Sequence, residues 1–332
     1  MLDTATALIM AAVLAGTPLL LGALGEILTE RSGNLNLGVE GMMFMGAITG
    51  LAGAFGYEQV MAAAGIEVVG AVSALAALLV SFIAGGFGAL IYGFLTITLR
   101  ANQNVTGLVL TIFGTGFANF FGEYLGQLTS GGYVAVSSVT KEAFAPIFIP
   151  GLSEIPVLGP LLFQYNWMVY FAIAVAIIMS LFLFRTRFGL NLRSVGEDPA
   201  AADAAGINVS KYRYLATVIG GGICGIGGMY MSMVTTSGVW VHGCVSGYGW
   251  LAVALVIFAT WSPLRGILIA GIFGGLTIVR MYISIPGLPV QIYEMLPYVA
   301  TILVLIITSA RQSKEHSMPA STGLNYFRED RE

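Results

Sequence analysis

Charged residues are scarce in this chain. Only 9% of its 332 residues are Asp, Glu, Lys or Arg, whereas soluble globular domains carry about 25%. This scarcity excludes an ordinary soluble domain. The balance of 14 basic against 17 acidic residues also gives no basic surface for a nucleic acid. Most of the surface must therefore face a solvent less polar than water.

Cysteine, histidine and lysine are also rare. Cys224 and Cys244 are the only cysteines, and their spacing fits neither a disulfide framework nor a metal cluster. His242 beside Cys244 provides too few ligands to complete a metal site. No lysine is followed by Ser or Thr, so the chain lacks a nucleotide-binding phosphate loop. We expect no catalytic residue, no metal and no cofactor bound by this chain, and hence no enzymatic activity of its own.

Long apolar runs are what the sequence does contain, since 57% of its residues are hydrophobic. The runs approach or exceed the roughly 20 residues that cross a bilayer as a helix, and they lack the alternation of barrel strands. The sequence predicts an all-α, polytopic integral membrane protein with one transmembrane domain over 1–310 and a polar tail over 311–332. We expect about nine spans, within a range of eight to ten. They lie near 5–28, 36–55, 68–98, 105–122, 167–184, 214–235, 248–262, 265–284 and 295–310.

The few basic residues predict the orientation. They concentrate in the loop 185–213, and loops rich in Lys and Arg face the cytoplasm. Counting spans from this loop places Arg31, Arg100, Arg265 and the tail on the same side. The N-terminus and the Gly- and Pro-rich connection 123–166 then lie outside, the latter as an irregular segment with a short surface helix. The polar tail is expected to be mobile.

The loop 185–213 contains the chemistry of a short helix. Asp198 is suited to cap it, Pro199 fits its first position, alanines follow, and Gly206 can end it. A two-turn helix is marginally stable alone in water. We therefore predict that it docks against a partner protein. The candidate docking residues are Gly196, Glu197, Asp198, Pro199, Ala200, Ala201, Asp203, Ala204, Ala205 and Gly206.

A second polar cluster separates the first two spans, where three carboxylates, one arginine and two asparagines lie within 26–41. Charges at membrane depth face a cavity or each other, and non-helical backbone there must be buried in protein or line water. The segment near 33–41 is thus predicted to be a re-entrant or broken helix beside a solute path. The alternative is an ordinary cytoplasmic turn with Glu30 and Arg31 in solvent.

A third cluster, 100–106, opens the fourth predicted span with three amide side chains. Amides donate and accept hydrogen bonds, which suits a neutral, hydroxyl- or base-bearing solute. A capped helix start at an interface explains the same residues. The candidate path residues from both clusters are Asn34, Asn36, Glu40, Asn102, Gln103, Asn104 and Thr106.

A conduit without an energy source of its own needs a partner, and the loop 196–207 is the obvious place for one. Two other classes remain open. An ion-coupled secondary transporter needs an acidic site in its spans, for which Glu26, Glu40 and Glu294 are the candidates. A non-transporting membrane scaffold fits the composition but leaves the polar clusters unexplained.

Four segments resemble a known family. They are GALGEILTERSGNLNLGVEGMMFMGA from Gly22, LRANQNVTGLVL from Leu99, RTRFGLNLRSVGEDPAAADAAGI from Arg185 and GYGWLAVALVIFATWSPLRGILIAGIFGG from Gly247. The chain is similar over about 15–310 to permease subunits of bacterial ABC importers, in the branch of ribose-type sugar and branched-chain amino-acid permeases. The first segment resembles nucleoside permeases of the guanosine or uridine type, which work with a Bmp-like lipoprotein.

The resemblance implies an importer complex in a bacterial plasma (inner) membrane. A separate cytoplasmic ABC ATPase would bind ATP and Mg and receive the loop Gly196–Ile207. A second permease, non-identical in many such systems, would complete the path, and an external substrate-binding lipoprotein would deliver the solute. The implied solute is a nucleoside or related small neutral molecule, with ribose or another simple sugar as the alternative.

Overall fold

The computed structural model of the chain describes residues 2–129, 131–283, 289–311 and 318–327. Within those ranges the backbone is helical apart from turns, connections and one isolated antiparallel bridge between Ala135 and Val239. The helices are α1 (Leu2–Glu30), α2 (Val39–Ala64), α3 (Gly70–Gly93), α4 (Gln103–Gln127), α5 (Ser138–Glu142), α6 (Leu158–Phe163), α7 (Trp167–Arg185), α8 (Arg187–Glu197), α9 (Pro199–Ala204), α10 (Val209–Tyr230), α11 (Tyr248–Phe258), α12 (Pro263–Tyr282) and α13 (Val290–Arg311). Two π-helical turns, Phe94–Thr98 and Met231–Thr235, extend α3 and α10.

Seven of these helices are long and apolar enough to cross a membrane, namely α1, α2, α3, α4, α7, α10 and α12. The helix α11 and the stretch Val290–Val304 of α13 are apolar but shorter. Each of the nine predicted spans overlaps one of these helices, seven of them long enough to cross a membrane and two shorter, which confirms an all-α, polytopic membrane protein. An apolar run of this length is helical because every backbone polar group must be satisfied within the segment when no water is present.

The centre of the bundle is α10, which packs against α1, α2 and α3. In its most apolar stretch 83% of the residues are buried, against 22% in α12. The helix α1 lies between this centre and α12, and it also contacts α11. Glycine allows the close contacts of α10, because a Cβ added at Gly228 would lie 1.7 Å from the Met43 carbonyl oxygen of α2. Small residues at helix interfaces let backbones approach in this way.

The helix α2 extends to Ala64, well beyond the predicted end near 55. The polar residues near 57–59 suggested an exit from the membrane, but Glu58 is buried and turned toward the protein. Its carboxylate accepts hydrogen bonds from the Ser137 backbone N–H at 3.0 Å and the Ser137 hydroxyl at 2.7 Å. Ser137 caps α5, so Glu58 fastens the predicted external connection to the bundle. That connection contains two short helices, α5 and α6, where the sequence suggested one.

The described part of the polar tail is held against the protein. Residues 318–327 lie against the ends of α1, α4 and α8, with Ser321 and Thr322 buried. Our expectation of a mobile tail is wrong for this segment. Backbone hydrogen bonds to Gly33 and Gly196 fix its position, and composition alone does not reveal them. Residues 312–317 and 328–332 of the predicted tail lie outside the described residues.

Candidate functional site

The helix α9 has the local chemistry that the sequence predicted. The Asp198 carboxylate caps it, accepting from the Ala201 N–H at 2.9 Å, and Pro199 occupies its first position. Gly206 has a φ of +82°, a left-handed conformation that ends the helix and that glycine adopts without strain. The sequence determines this helix because each of these effects acts over only a few residues.

A small apolar cluster holds α9 on the body of the protein. Val195, Ala202 and Val209 are buried together, and Tyr326 of the tail packs beside them. The Tyr326 hydroxyl also donates to the Asp203 carboxylate at 3.0 Å. The opposite side of α9 is open to solvent. Its exposed residues, with the neighbouring turns, are Glu197, Asp198, Ala200, Ala201, Ala204, Ala205 and Gly206.

Three of the predicted docking residues are not exposed. Gly196 is buried against the end of α1, where an added Cβ would lie 2.3 Å from the Arg31 carbonyl oxygen. Pro199 and Asp203 are half-buried. The structure thus separates the predicted set into an exposed surface and an inner side that faces the bundle.

Sequence reasoning missed the helix α8. Thr186 caps it, with its hydroxyl accepting from the Gly189 N–H at 3.0 Å. Leu192 and Val195 turn inward, whereas Phe188 is 67% exposed. The signal was available as a Thr cap followed by apolar residues three apart. Phe188 lies in the first turn of α8, at the end away from α9, with its ring centre 6.5 Å from that of Tyr212.

Arg31 joins the end of α1 to this region. Its guanidinium donates to the Trp261 carbonyl oxygen from Nε at 3.3 Å and Nη2 at 3.2 Å, and it lies 5.9 Å from the ring centre of Phe184. Burial lowers the pKa of Arg31, while the negative charge of Glu197 acts in the opposite direction. Arginine nevertheless stays charged at neutral pH.

The alternative of a solvated turn at Glu30 and Arg31 is wrong, because Glu30 is buried and accepts a hydrogen bond from the Trp261 indole.

The segment 31–38 that links α1 to α2 is non-helical and mostly buried. We call it the linker. Polar side chains satisfy its backbone, as buried N–H groups require. The Leu35 N–H donates to Gln103 Oε1 at 2.7 Å, and the Asn36 N–H donates to Glu26 Oε1 at 2.9 Å. The Asn34 amide, fully buried, donates to the Thr217 hydroxyl at 2.9 Å.

The linker runs into the bundle alongside α4. Leu35 lies beside Gln103 at the start of α4, whereas Leu37 contacts Gly107 one turn further on. Gly41, in the first turn of α2, contacts the backbone at Leu110. At 1.5 Å per residue, α2 therefore begins roughly 10 Å beyond the start of α4. The predicted break near 33–41 is a buried, non-helical segment over 31–38, whereas residues 39–41 already belong to α2.

A second helix begins at the same depth. Glu40 Oε2 accepts from the Gly247 N–H at 3.1 Å and from the Trp250 N–H at 3.4 Å, at the first turn of α11. The carboxylate thus satisfies N–H groups that a helix start leaves unpaired and lies where the helix dipole favours negative charge. Gly249 permits this contact, since an added Cβ would lie 2.3 Å from the Glu40 Cα. We call this meeting of α2 and α11 the junction.

The helix α11 has 11 residues, or roughly 16 Å of length, about half of a hydrocarbon core near 30 Å thick. The preceding segment 236–247 carries the chain from the bridge at Val239 to the junction. Non-helical backbone is tolerated in a membrane protein where it is buried or lines a water-filled cavity, and residues 241–243 and 246 of this segment are exposed. The short seventh span is therefore a half-length helix whose start lies inside the bundle.

The candidate path residues fall into two groups. Asn34, Asn36, Gln103 and Thr106 are buried near the linker, with Glu40 further along at the junction. Asn102 and Asn104 are exposed at the start of α4, where Asn102 Oδ1 caps the helix by accepting from the Val105 N–H at 3.1 Å. Capping by Asn102 is the role that the alternative interpretation of this cluster gave it.

Comparison with known proteins gives a consistent result. The family model of the permease component of branched-chain amino acid transport systems matches residues 8–305. A putative glucose ABC transporter permease of Haloferax volcanii is 36% identical, over 98% of this chain and 98% of its own. The guanosine ABC transporter permease of Bacillus subtilis is 35% identical, over 95% of this chain and 97% of its own. The nucleoside ABC transporter permease of Lactococcus lactis is 32% identical, over 94% of each chain. No solved structure matches.

Proposed function

The chain belongs to the family of permease components of branched-chain amino acid transport systems, and from that premise we propose that it forms part of the membrane conduit of an ATP-driven importer. The observation that carries the proposal is the exposed helix α9, fixed to the body at the end predicted to be cytoplasmic. A separate ABC ATPase would dock there and bind ATP and Mg, so the permease itself would be no enzyme.

The docking surface has the features of a protein contact. It presents small side chains on α9, and Phe188, at the end of α8 away from α9, is exposed as well. Small residues let a partner approach the helix closely, and an aromatic side chain can anchor such an interface. The acids Glu197 and Asp198 border the surface and favour basic residues on the ATPase.

We propose a nucleoside as the solute. Two of the three relatives described above are named for guanosine or nucleoside transport. A simple sugar is the second candidate, because the Haloferax volcanii relative is named for glucose. Both are neutral and rich in hydroxyl groups, for which amide side chains provide donors and acceptors.

The linker and the junction are proposed as a closed part of the path. The candidate residues of this closed part are Asn34, Asn36, Glu40, Gln103 and Thr106. Asn102 and Asn104 lie at the start of α4, where we propose that the path opens at the same end of the bundle. The buried amide of Asn34 already bonds to Thr217, so a solute would reach it only after α1, α4 and α10 separate. Such a separation would accompany the opening and closing of the ATPases.

The acidic residues do not favour ion coupling. Glu26 and Glu40 accept backbone N–H groups of the linker and of α11, so each has a structural role within the protein. Glu294 is exposed on α13. A metal-ion site needs several ligands around one position, and among the described residues no three acidic, histidine or cysteine side chains come together.

The remaining partners follow from the same proposal. A second permease, non-identical to this chain, would complete the path, and an external lipoprotein would deliver the solute. The location would be the plasma membrane of a bacterium.

The test is a tagged purification in mild detergent followed by reconstitution. We expect an ABC ATPase and a second permease to co-purify, and vesicles of the complex to take up labelled guanosine or uridine when ATP is present. Labelled glucose serves as the competing substrate. Recovery of this chain alone, under conditions that preserve a known importer, would contradict the permease-complex proposal. Uptake of glucose but no nucleoside would overturn only the substrate.

A further inference from the structure

The tail segment 318–327 crosses the end of the bundle predicted to be cytoplasmic and bonds to α1, the linker, the start of α4, α8, α9 and α10. Its main chain joins the end of α8 to the linker, because Ser321 N donates to the Gly196 carbonyl at 3.0 Å and Gly323 N donates to the Gly33 carbonyl at 3.2 Å. The Ser321 hydroxyl adds a bond to Gly196 at 2.6 Å.

The second half of the segment binds the start of α4 and α10. The Asn325 amide donates to the Arg100 carbonyl at 2.6 Å, and Gln103 Nε2 donates to the Leu324 carbonyl at 3.3 Å. Arg213 of α10, a buried cation, donates to the same carbonyl at 3.2 Å. Gln103 also accepts from the linker, so one side chain connects the tail to the buried path residues.

The last contacts return to α9. Tyr326 packs in the cluster that holds α9 and bonds to Asp203, while the Phe327 ring lies 4.5 Å from the Arg100 guanidinium. Gly33 shows how closely the segment fits, since an added Cβ would lie 2.7 Å from the Ser321 hydroxyl. The segment therefore touches both the docking surface and the linker.

We propose that residues 318–327 form a transmission strap, which passes movement of the docked α8–α9 unit to the linker and the start of α4. The inference rests on the proposed function, because it assigns the strap to the ATPase-driven cycle. Its physical basis is that coupling between sites is carried by packed and hydrogen-bonded elements whose arrangement both sites influence. The residues of the strap are positioning residues and contact no solute.

A direct route competes with the strap. The backbone at Gly196 already packs against the Arg31 carbonyl, so a displacement of α8 could move the end of α1 directly, without the tail. The two routes differ in what happens when the tail is removed. The direct route predicts an unchanged response of the linker, and the strap predicts its loss.

Hydrogen–deuterium exchange on the reconstituted complex separates these routes without knowledge of the solute. The probe is ATP with magnesium, and the readout is the exchange of amides in 31–38 and in α9. In the full chain, we expect ATP to change exchange in both segments, by about tenfold for a coupling of ordinary size. A chain truncated before residue 318 should keep the response of α9 and lose that of the linker.

A matched truncation before residue 328 is the control, because it shortens the tail but leaves the strap and its Phe327 contact. It should respond as the full chain does. If the longer truncation does not accumulate in the membrane, the double variant Asn325→Ala, Tyr326→Phe replaces it. That variant removes bonds to Arg100 and Asp203 and should reduce the linker response severalfold.

The outcomes distinguish the two proposals. Absence of an ATPase from the wild-type complex contradicts the proposed function itself. A linker that responds equally with and without 318–327, in a complex that retains its ATPase, overturns the strap and supports the direct route through Gly196 and Arg31.

Discussion

Glu40 and Gly247 lie 207 residues apart in the sequence, yet the Glu40 carboxylate accepts the Gly247 backbone N–H at 3.1 Å inside the bundle. Glu40 belongs to the first turn of α2, and its carboxylate caps the first turn of α11, so the starts of the two helices meet at this side chain. This contact fixes the depth at which α11 begins. The first N–H groups of a helix have no partner within it, and Glu40 accepts two of those at the start of α11.

We predict that Glu40→Gln lowers the thermal unfolding midpoint of the detergent-solubilised protein. The amide keeps the size and one acceptor but loses the charge that the start of α11 favours, an effect of up to about 2 kcal/mol in partly buried geometry. Glu123→Gln is the control, since Glu123 is exposed at the other end of α4. Equal midpoints for both variants would contradict a stabilising role of the Glu40 charge.

Gly249→Ala should be more severe than the same change at Gly116. The added Cβ at 249 would lie 2.3 Å from the Glu40 Cα, whereas Gly116 of α4 has open space around its Cα. Overpacking of this kind costs about 1–3 kcal/mol, and Gly→Ala in a helix with free space is neutral or stabilising. The two unfolding midpoints provide the comparison. A tolerated Gly249→Ala would mean that α2 and α11 separate easily.

Asp198→Ala should weaken co-purification of the ATPase, because α9 loses its cap at a cost of about 0.5–2 kcal/mol. Asp198→Asn separates this effect from charge, since asparagine caps as well as aspartate. We expect the asparagine variant to retain the ATPase if helix formation matters most. Loss of the ATPase from both variants would assign the effect to the carboxylate charge.

The hydrogen bond between Asn34 and Thr217 is best tested by a double-mutant cycle. Asn34→Leu should destabilise the protein by about 1–3 kcal/mol, because the Thr217 hydroxyl is then buried without this partner. Thr217→Val should do the same from the other side. The double variant should cost less than the sum of the two single changes. Additive shifts in the unfolding midpoint would show that the two side chains act independently.

The local features of α9 could be predicted from the sequence, whereas α8 was missed. Asp198, Pro199 and Gly206 determine the bounds of α9 through interactions with their near neighbours, and the structure has all three in the expected roles. The break between α1 and α2 was also predictable from its glycines and asparagines, although the carboxylates Glu26, Glu30 and Glu40 lie within the flanking helices. The end of α2 was not, because Glu58 resembles a residue at a membrane exit and is instead paired with Ser137.

By itself the sequence determined the membrane class, the order of nine apolar helices, the polar linker and the capped helix α9. Each of these follows from composition or from contacts within a few residues. Only the tertiary structure decided that Glu40 caps α11, that Asn34 bonds to Thr217 and that residues 318–327 bridge α8, the linker and α4. The physical reason is that helices apolar on every side carry no periodic signal of which faces meet. Close packing and distant hydrogen-bond partners select those faces once the helices are assembled.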